Sequence, residues 1–192
     1  MPRIELVLGD ITRQQVDVVV NAANSSLMGG GGVDGAIHEA GGPALHAACR
    51  ALRAGPYVHG LPAGEAVSTT AGDLPARWVV HTVGPVYAPG EDRSDVLASC
   101  YRKSLQLADE LGAQTVAFPA VSAGIYRWPV DEAARIAVGT VLSTPTRVRE
   151  VRFVLFTARV FEAFQAAVDL AEIDLTQHPE VVLPPGDAVS AG

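Results

Sequence analysis

Apolar and polar positions along the chain fall into short β-type runs separated by longer stretches of helical period. Residues 4–8 alternate in character and residues 16–22 form an almost continuous apolar block, which predicts an early strand and then a buried one, with a helical turn over 12–15. From Asp34 to about Arg53, apolar residues recur at helical spacing but are interrupted by Gly41, Gly42 and Pro43, so two short helices in tandem are expected. Residues 66–71 and 78–83 read as two strands joined through Gly72, Asp73, Leu74 and Pro75. An amphipathic helix over 95–111, closed by Gly112, leads to a short buried strand at 115–118. A helix over 130–142, a strand over 148–156 and a last helix over 160–171 complete the pattern. This alternation predicts a three-layer α/β/α domain with a central, mixed but largely parallel sheet, its ligand held by loops beyond the carboxyl ends of the strands. Residues 1–171 are read as one domain and residues 172–192, polar and containing Pro179, Pro184 and Pro185, as a loosely held tail.

Composition narrows the function. The 192 residues carry a formal net charge of −7, and the only lysine, Lys103, stands among 14 basic residues that form no stripe, which argues against polymeric nucleic acid as a partner. No apolar run reaches the ~20 residues needed to cross a bilayer, and Glu5 interrupts the apolar start where a signal peptide would continue. A cytoplasmic protein without a membrane partner is expected. Cys49 and Cys100 stand far apart, and the 5 histidines show no ligand spacing, so neither a disulfide framework, a metal site nor a cofactor is expected. A small phosphorylated ligand remains compatible with the charge, since backbone N–H groups at a helix start bind anions without any cationic side chain.

The stretch from Asn21 to Gly35 carries the most chemistry. Asn21 and Asn24 precede four glycines, Gly29 to Gly32, then Val33 and Asp34 at the start of a helix. Ordering such a run opposes a conformational entropy of roughly 1 kcal/mol per glycine, so it is either a floppy surface loop or a place where backbone closely approaches a ligand. Residues 30–35 satisfy G-x-G-x-x-G, but after Glu39 the next acid is Glu65, too far on to hold a dinucleotide ribose, and no Lys-Ser or Lys-Thr pair follows to make a Walker loop. Asp34 by itself could equally be a helix N-cap.

Asn24, six residues, and then Gly31-Gly32-Val33-Asp34 resembles the N-x6-G-G-V-D signature of MacroD-type macrodomains. The resemblance implies that Asn24 hydrogen-bonds the distal ribose of ADP-ribose, that Gly31, Gly32 and Val33 admit the diphosphate, and that Asp34 serves the hydrolytic water. Asn21 is placed with the substrate-binding group. Ser122, Ala123, Gly124 and Ile125 are similar to the family's second phosphate loop, and Tyr126 to the aromatic beside the distal ribose. The family commonly has glycine after that aromatic, where this chain has Arg127. Asp10 and Ile11 resemble the adenine corner, where the carboxylate accepts from the exocyclic amine, and Phe156 matches an aromatic that stacks on adenine. For each there is a plainer reading: Asp10 as a turn cap, Phe156 and Trp128 as core, His81 as structural. Trp128 and His81 are assigned to structure.

What the resemblance implies is ester hydrolysis, either deacetylation of O-acetyl-ADP-ribose or release of mono-ADP-ribose from acidic side chains of ADP-ribosylated proteins. An aspartate of ordinary pKa, about 3.9, is a poor base at neutral pH, so Asp34 is expected mainly to orient water. The alternatives are a non-catalytic ADP-ribose reader and an ADP-ribose 1''-phosphate phosphatase.

Overall fold

The structure is a computed structural model that describes residues 1–177. It contains strands β1 (Arg3–Leu8), β2 (Val16–Ala23), β3 (Ala66–Thr70), β4 (Ala76–Val83), β5 (Thr115–Phe118) and β6 (Glu150–Leu155). The helices are α1 (Gly32–Ala54), α2 (Ser94–Glu110), α3 (Val130–Ser143) and α4 (Ala158–Gln177). The expected turn after β1 is a 3-10 turn at Ile11–Arg13. The last helix runs through Gln177, past the expected end at Ala171, and the remainder of the expected tail lies outside the described residues.

The six strands are ordered β1-β6-β5-β2-β4-β3, and only the β3–β4 pairing is antiparallel. β2 is central and buried on both faces, which explains its unbroken apolar run. Val18 and Val20 point into a core shared with α2, α3 and α4, and Val19 into a second core shared with α1, because successive side chains alternate across the sheet. The larger core is knit by Tyr101, Phe118, Phe153 and Phe164, whose successive ring centroids lie 5.2, 6.0 and 4.9 Å apart.

The expected break between tandem helices is a kink in α1. Gly42 sits at φ 68°, and a Cβ there would lie 2.6 Å from Asp73 Oδ2. Pro43 then restarts the helix, a position it tolerates because its missing N–H falls in a first turn. Five parallel strands therefore end at one edge of the sheet, where the chain leaves β2, β4, β5 and β6 in loops that surround a common space.

Candidate active site

Those loops enclose a cleft of about 470 Å³. The exit of β2 contributes Asn24, the α1 start contributes Gly31, Gly32, Val33 and Asp34, the exit of β5 contributes residues 119–126, and the exit of β6 contributes Phe156 and Thr157. Gly84 joins from the end of β4.

The glycine run is held in place by its neighbours. Asn24 Nδ2 donates to the Gly29 carbonyl at 3.1 Å, while Asn24 Oδ1 accepts from the Ser26 N–H at 3.0 Å and from the Ser26 hydroxyl. A Cβ on Gly35 would lie 2.5 Å from the Gly30 carbonyl oxygen, whereas at Gly31 and Gly32 nothing stands within 4 Å. The loop is thus packed from beneath and open on the cleft side. Gly31 is the N-cap of α1 and brings no side chain, so the first amides of the helix face an approaching anion without competition from a capping side chain. Asp34 is the third helical residue rather than the cap.

Asp34 is 4% exposed. Its Oδ1 accepts from Asn21 Nδ2 at 2.8 Å, and His38 Nε2 lies 3.4 Å from the same oxygen. Its Oδ2 has no hydrogen-bond partner. Burial pushes the Asp34 carboxyl above the usual carboxylate range, against the opposing effects of Asn21 and His38. This corrects the expectation of an ordinary acid: desolvation makes it a stronger base. Burial likewise lowers His38, so that ring is neutral at neutral pH and the contact is no ion pair.

Asn21 is also corrected. It is 0% exposed and absent from the cleft lining, and its amide meets Asp34 and His81 instead of a ligand. Residue-by-residue alternation along β2 turns it toward α1, away from the loop edge.

The second loop is equally braced. Ser122 takes φ 64° and donates from its hydroxyl to the Pro85 carbonyl at 3.0 Å, and the Trp128 indole N–H donates to the same oxygen at 2.9 Å. Trp128 is 4% exposed and packs edge-on against Tyr87, a core role as expected. Ala123, Gly124 and Ile125 line the cleft with Tyr126, whose hydroxyl pKa is raised by burial and by the Asp34 charge. Arg127 stands at φ 61°, the left-handed backbone that glycine occupies without strain, so a side chain here stiffens a turn at some conformational cost.

Of the residues expected around adenine, Phe156 lines the cleft and Asp10 and Ile11 do not. Leu8 pairs with Leu155 and the Gly9 amide donates to the Leu155 carbonyl at 2.9 Å, so the chain leaves β1 next to the exit of β6. Phe156 is 82% exposed and lines the cleft, so it is not core. The Asp10 carboxylate accepts from the Thr12 amide at 2.9 Å and its hydroxyl at 2.7 Å, bonds that hold it below the usual carboxylate range. It is a turn cap in this structure. Ile11 is buried against α1, and neither residue is among the cleft lining.

The sequence of residues 20–137 matches the Macro domain family model. The chain is a macrodomain. Macro domain-containing proteins of Streptomyces include one from S. coelicolor that is 70% identical over 86% of this chain and 98% of its own length. An O-acetyl-ADP-ribose deacetylase of Klebsiella pneumoniae is 52% identical over 85% of this chain and 92% of its own. Among solved structures, the Oceanobacillus iheyensis macrodomain with ADP superposes with a TM-score of 0.86 at 40% identity, covering 89% of this chain and 92% of that one. A Trypanosoma brucei macrodomain in complex with ADP-ribose superposes with a TM-score of 0.75 at 37% identity, covering 86% and 68%.

Two residues of this macrodomain site escaped the sequence reading. His38 lies one turn beyond Asp34, and i,i+4 spacing would have placed it on the same helix face. Gly84 ends the His81-Thr82-Val83 strand, where a Cβ would lie 2.0 Å from Ser122 Oγ. Among the described residues, the one group with metal-ligating atoms close together is buried His38, Cys49 and His81, within 4.8 Å. Its donors are committed elsewhere: His81 Nε2 lies 2.9 Å from Thr69 Oγ1, and burial pushes the Cys49 thiol up to about 11, far from the thiolate a metal needs. No helix among the described residues is long and apolar enough to cross a membrane.

Proposed function

We propose that this macrodomain binds ADP-ribose and hydrolyses ester bonds at its distal ribose, deacetylating O-acetyl-ADP-ribose and releasing mono-ADP-ribose from acidic side chains of modified proteins. One observation carries the reading: at the cleft floor, buried Asp34 has one carboxylate oxygen fixed by Asn21 and the other unpartnered. A Cβ built on Gly30 would lie 3.2 Å from that free oxygen and 3.1 Å from Asn24 Nδ2, so the two groups converge beneath the glycine loop.

The diphosphate bridges the two loops through the amides of residues 31–33 and 122–125, adenine stacks on Phe156, and Tyr126 packs against the distal ribose. Asn24 holds the glycine loop and the ribose hydroxyls together. Water bonded to Asp34 Oδ2 gives up a proton to it while attacking the acyl carbon of an acetyl ester, where Asp34 returns that proton to the departing ribose oxygen, or the anomeric carbon of a glutamyl linkage, where the carboxylate leaves unprotonated and the proton passes to solvent. The products are acetate or a free carboxylate, and ADP-ribose. A desolvated carboxylate is suited to that proton transfer, and none of these steps needs a cation. The deacetylase of K. pneumoniae at 52% identity supports the deacetylation, and the ligand-bound T. brucei structure supports the binding of ADP-ribose. The protein's setting is proposed to be cytoplasmic, with ADP-ribosylated proteins and no polymeric nucleic acid as partners.

The experiment follows release of acetate and of free ADP-ribose from O-acetyl-ADP-ribose and from glutamate-modified protein, with calorimetry on ADP-ribose alongside. Asp34→Ala and Asn24→Ala should each reduce turnover by about a hundredfold or more, as loss of a positioned acid-base group does. Binding heat without turnover in the unaltered protein would make it a reader. Phosphate release from ADP-ribose 1''-phosphate would make it a phosphatase.

A further inference from the structure

Behind Asp34 runs a buried chain of hydrogen bonds that crosses three strands. Thr69 Oγ1 lies 3.1 Å from the Thr70 carbonyl and 2.9 Å from His81 Nε2; His81 Nδ1 lies 3.1 Å from Asn21 Nδ2, which lies 2.8 Å from Asp34 Oδ1. The sheet builds this chain, because β2–β4 register pairs Asn21 directly with His81 and alternation turns both toward α1.

Its polarity is read from the Thr69 end. Thr69 Oγ1 donates to the Thr70 carbonyl, and with its single proton engaged there it accepts from His81 Nε2–H, whose other neighbour, Cys49 Sγ, stands farther off at 3.7 Å. Nδ1 of that neutral tautomer is then bare and can only accept, so Asn21 must turn its NH2 toward it. The second N–H of the same amide meets Asp34. With the opposite polarity, the Asn21 carbonyl would face the carboxyl and only a protonated Asp34 could satisfy it. We propose that Thr69 and His81 are positioning residues: they fix which end of the Asn21 amide faces Asp34, and so hold that carboxyl ionised within the buried site.

The role rests on the hydrolytic reading for its consequence, though the titration itself does not. Other titratable groups surround the pair. His38 and Cys49 face Asp34 from α1, Tyr126 faces it from the second loop, and His46 Nδ1 stands 3.4 Å behind His38 Nδ1. All four are retained when Thr69 is changed. Thr69 itself is 8% exposed and lines no part of the cleft.

The test is NMR on the full chain: nitrogen spectra for the His81 tautomer and carboxyl-carbon titration of Asp34, in the unaltered protein, Thr69→Val and Thr69→Ser. The unaltered protein should show His81 protonated at Nε2. Thr69→Val should raise the Asp34 midpoint by about half a pH unit or more, the scale of one modest hydrogen bond, and move the acid limb of kcat with it. Thr69→Ser should restore both. An Nδ1-protonated His81 in the unaltered protein overturns the proposal even if the valine variant does not fold, and an unmoved Asp34 midpoint in a folded valine variant overturns it equally. Absence of turnover would sink the hydrolase reading, but these two titrations would still decide this one.

Discussion

Acidification should weaken this fold through His81. The ring is 0% exposed, and burial, with a smaller contribution from His38, lowers its pKa from 6.5 to about 3. A histidine whose folded pKa lies below its unfolded value contributes stability that is complete above the unfolded pKa and is lost as pH falls. Between about pH 7.5 and pH 5 the unfolded ring gains its proton and the folded ring does not. Some 1.5 pH units below the unfolded pKa, at about 1.4 kcal/mol per unit, this removes about 2 kcal/mol of stability. For a chain of this length that corresponds to a fall of about 4–8 °C in Tm. Burial lowers His38 as well and adds in the same direction, whereas the raised Asp34 acts oppositely. Urea unfolding at both pH values, in the unaltered protein and in His81→Gln, isolates the His81 contribution. The variant should lose about 2 kcal/mol less on acidification. Equal losses in the two proteins would refute the reasoning.

Two further outcomes follow from the cleft. Gly84→Ala sets a Cβ 2.0 Å from Ser122 Oγ and 2.8 Å from Val121 Cγ1, so Ser122 must leave the Pro85 carbonyl and shift the second loop. ADP-ribose affinity measured by calorimetry should fall about tenfold or more, equivalent to about 1.4 kcal/mol, and an unchanged Kd would show that this loop does not grip the ligand. Phe156→Ala removes a ring that is 82% exposed, so stability should change by less than about 0.5 kcal/mol. Binding of ADP-ribose should nonetheless weaken by about 1–3 kcal/mol, the worth of a stacked base, while ribose 5-phosphate is unaffected. Equal weakening of both ligands would place adenine elsewhere.

Hydrophobic period, with glycine and proline breaks, marks the strands and helices among the described residues, because burial on one or both faces writes itself into the order of residues. The boundaries slip by a few positions, as at α4, which continues through Gln177. The glycine run is legible because close packing, as where a Cβ on Gly35 would meet the Gly30 carbonyl, leaves a local record, whereas Asp34 stands out only through its spacing from Asn24 in the family signature. What the sequence could not decide is which polar groups face one another. Asn21 reads as a ligand contact until β2–β4 register sets it against His81, and Asp34 reads as an ordinary acid until α1 and the sheet exclude water from it. Asp10 reads as an adenine partner, but in the folded turn its carboxylate caps Thr12. Solvation and long-range pairing are properties of the closed fold. They fix the charge of each group in the site, and no stretch of chain carries them alone.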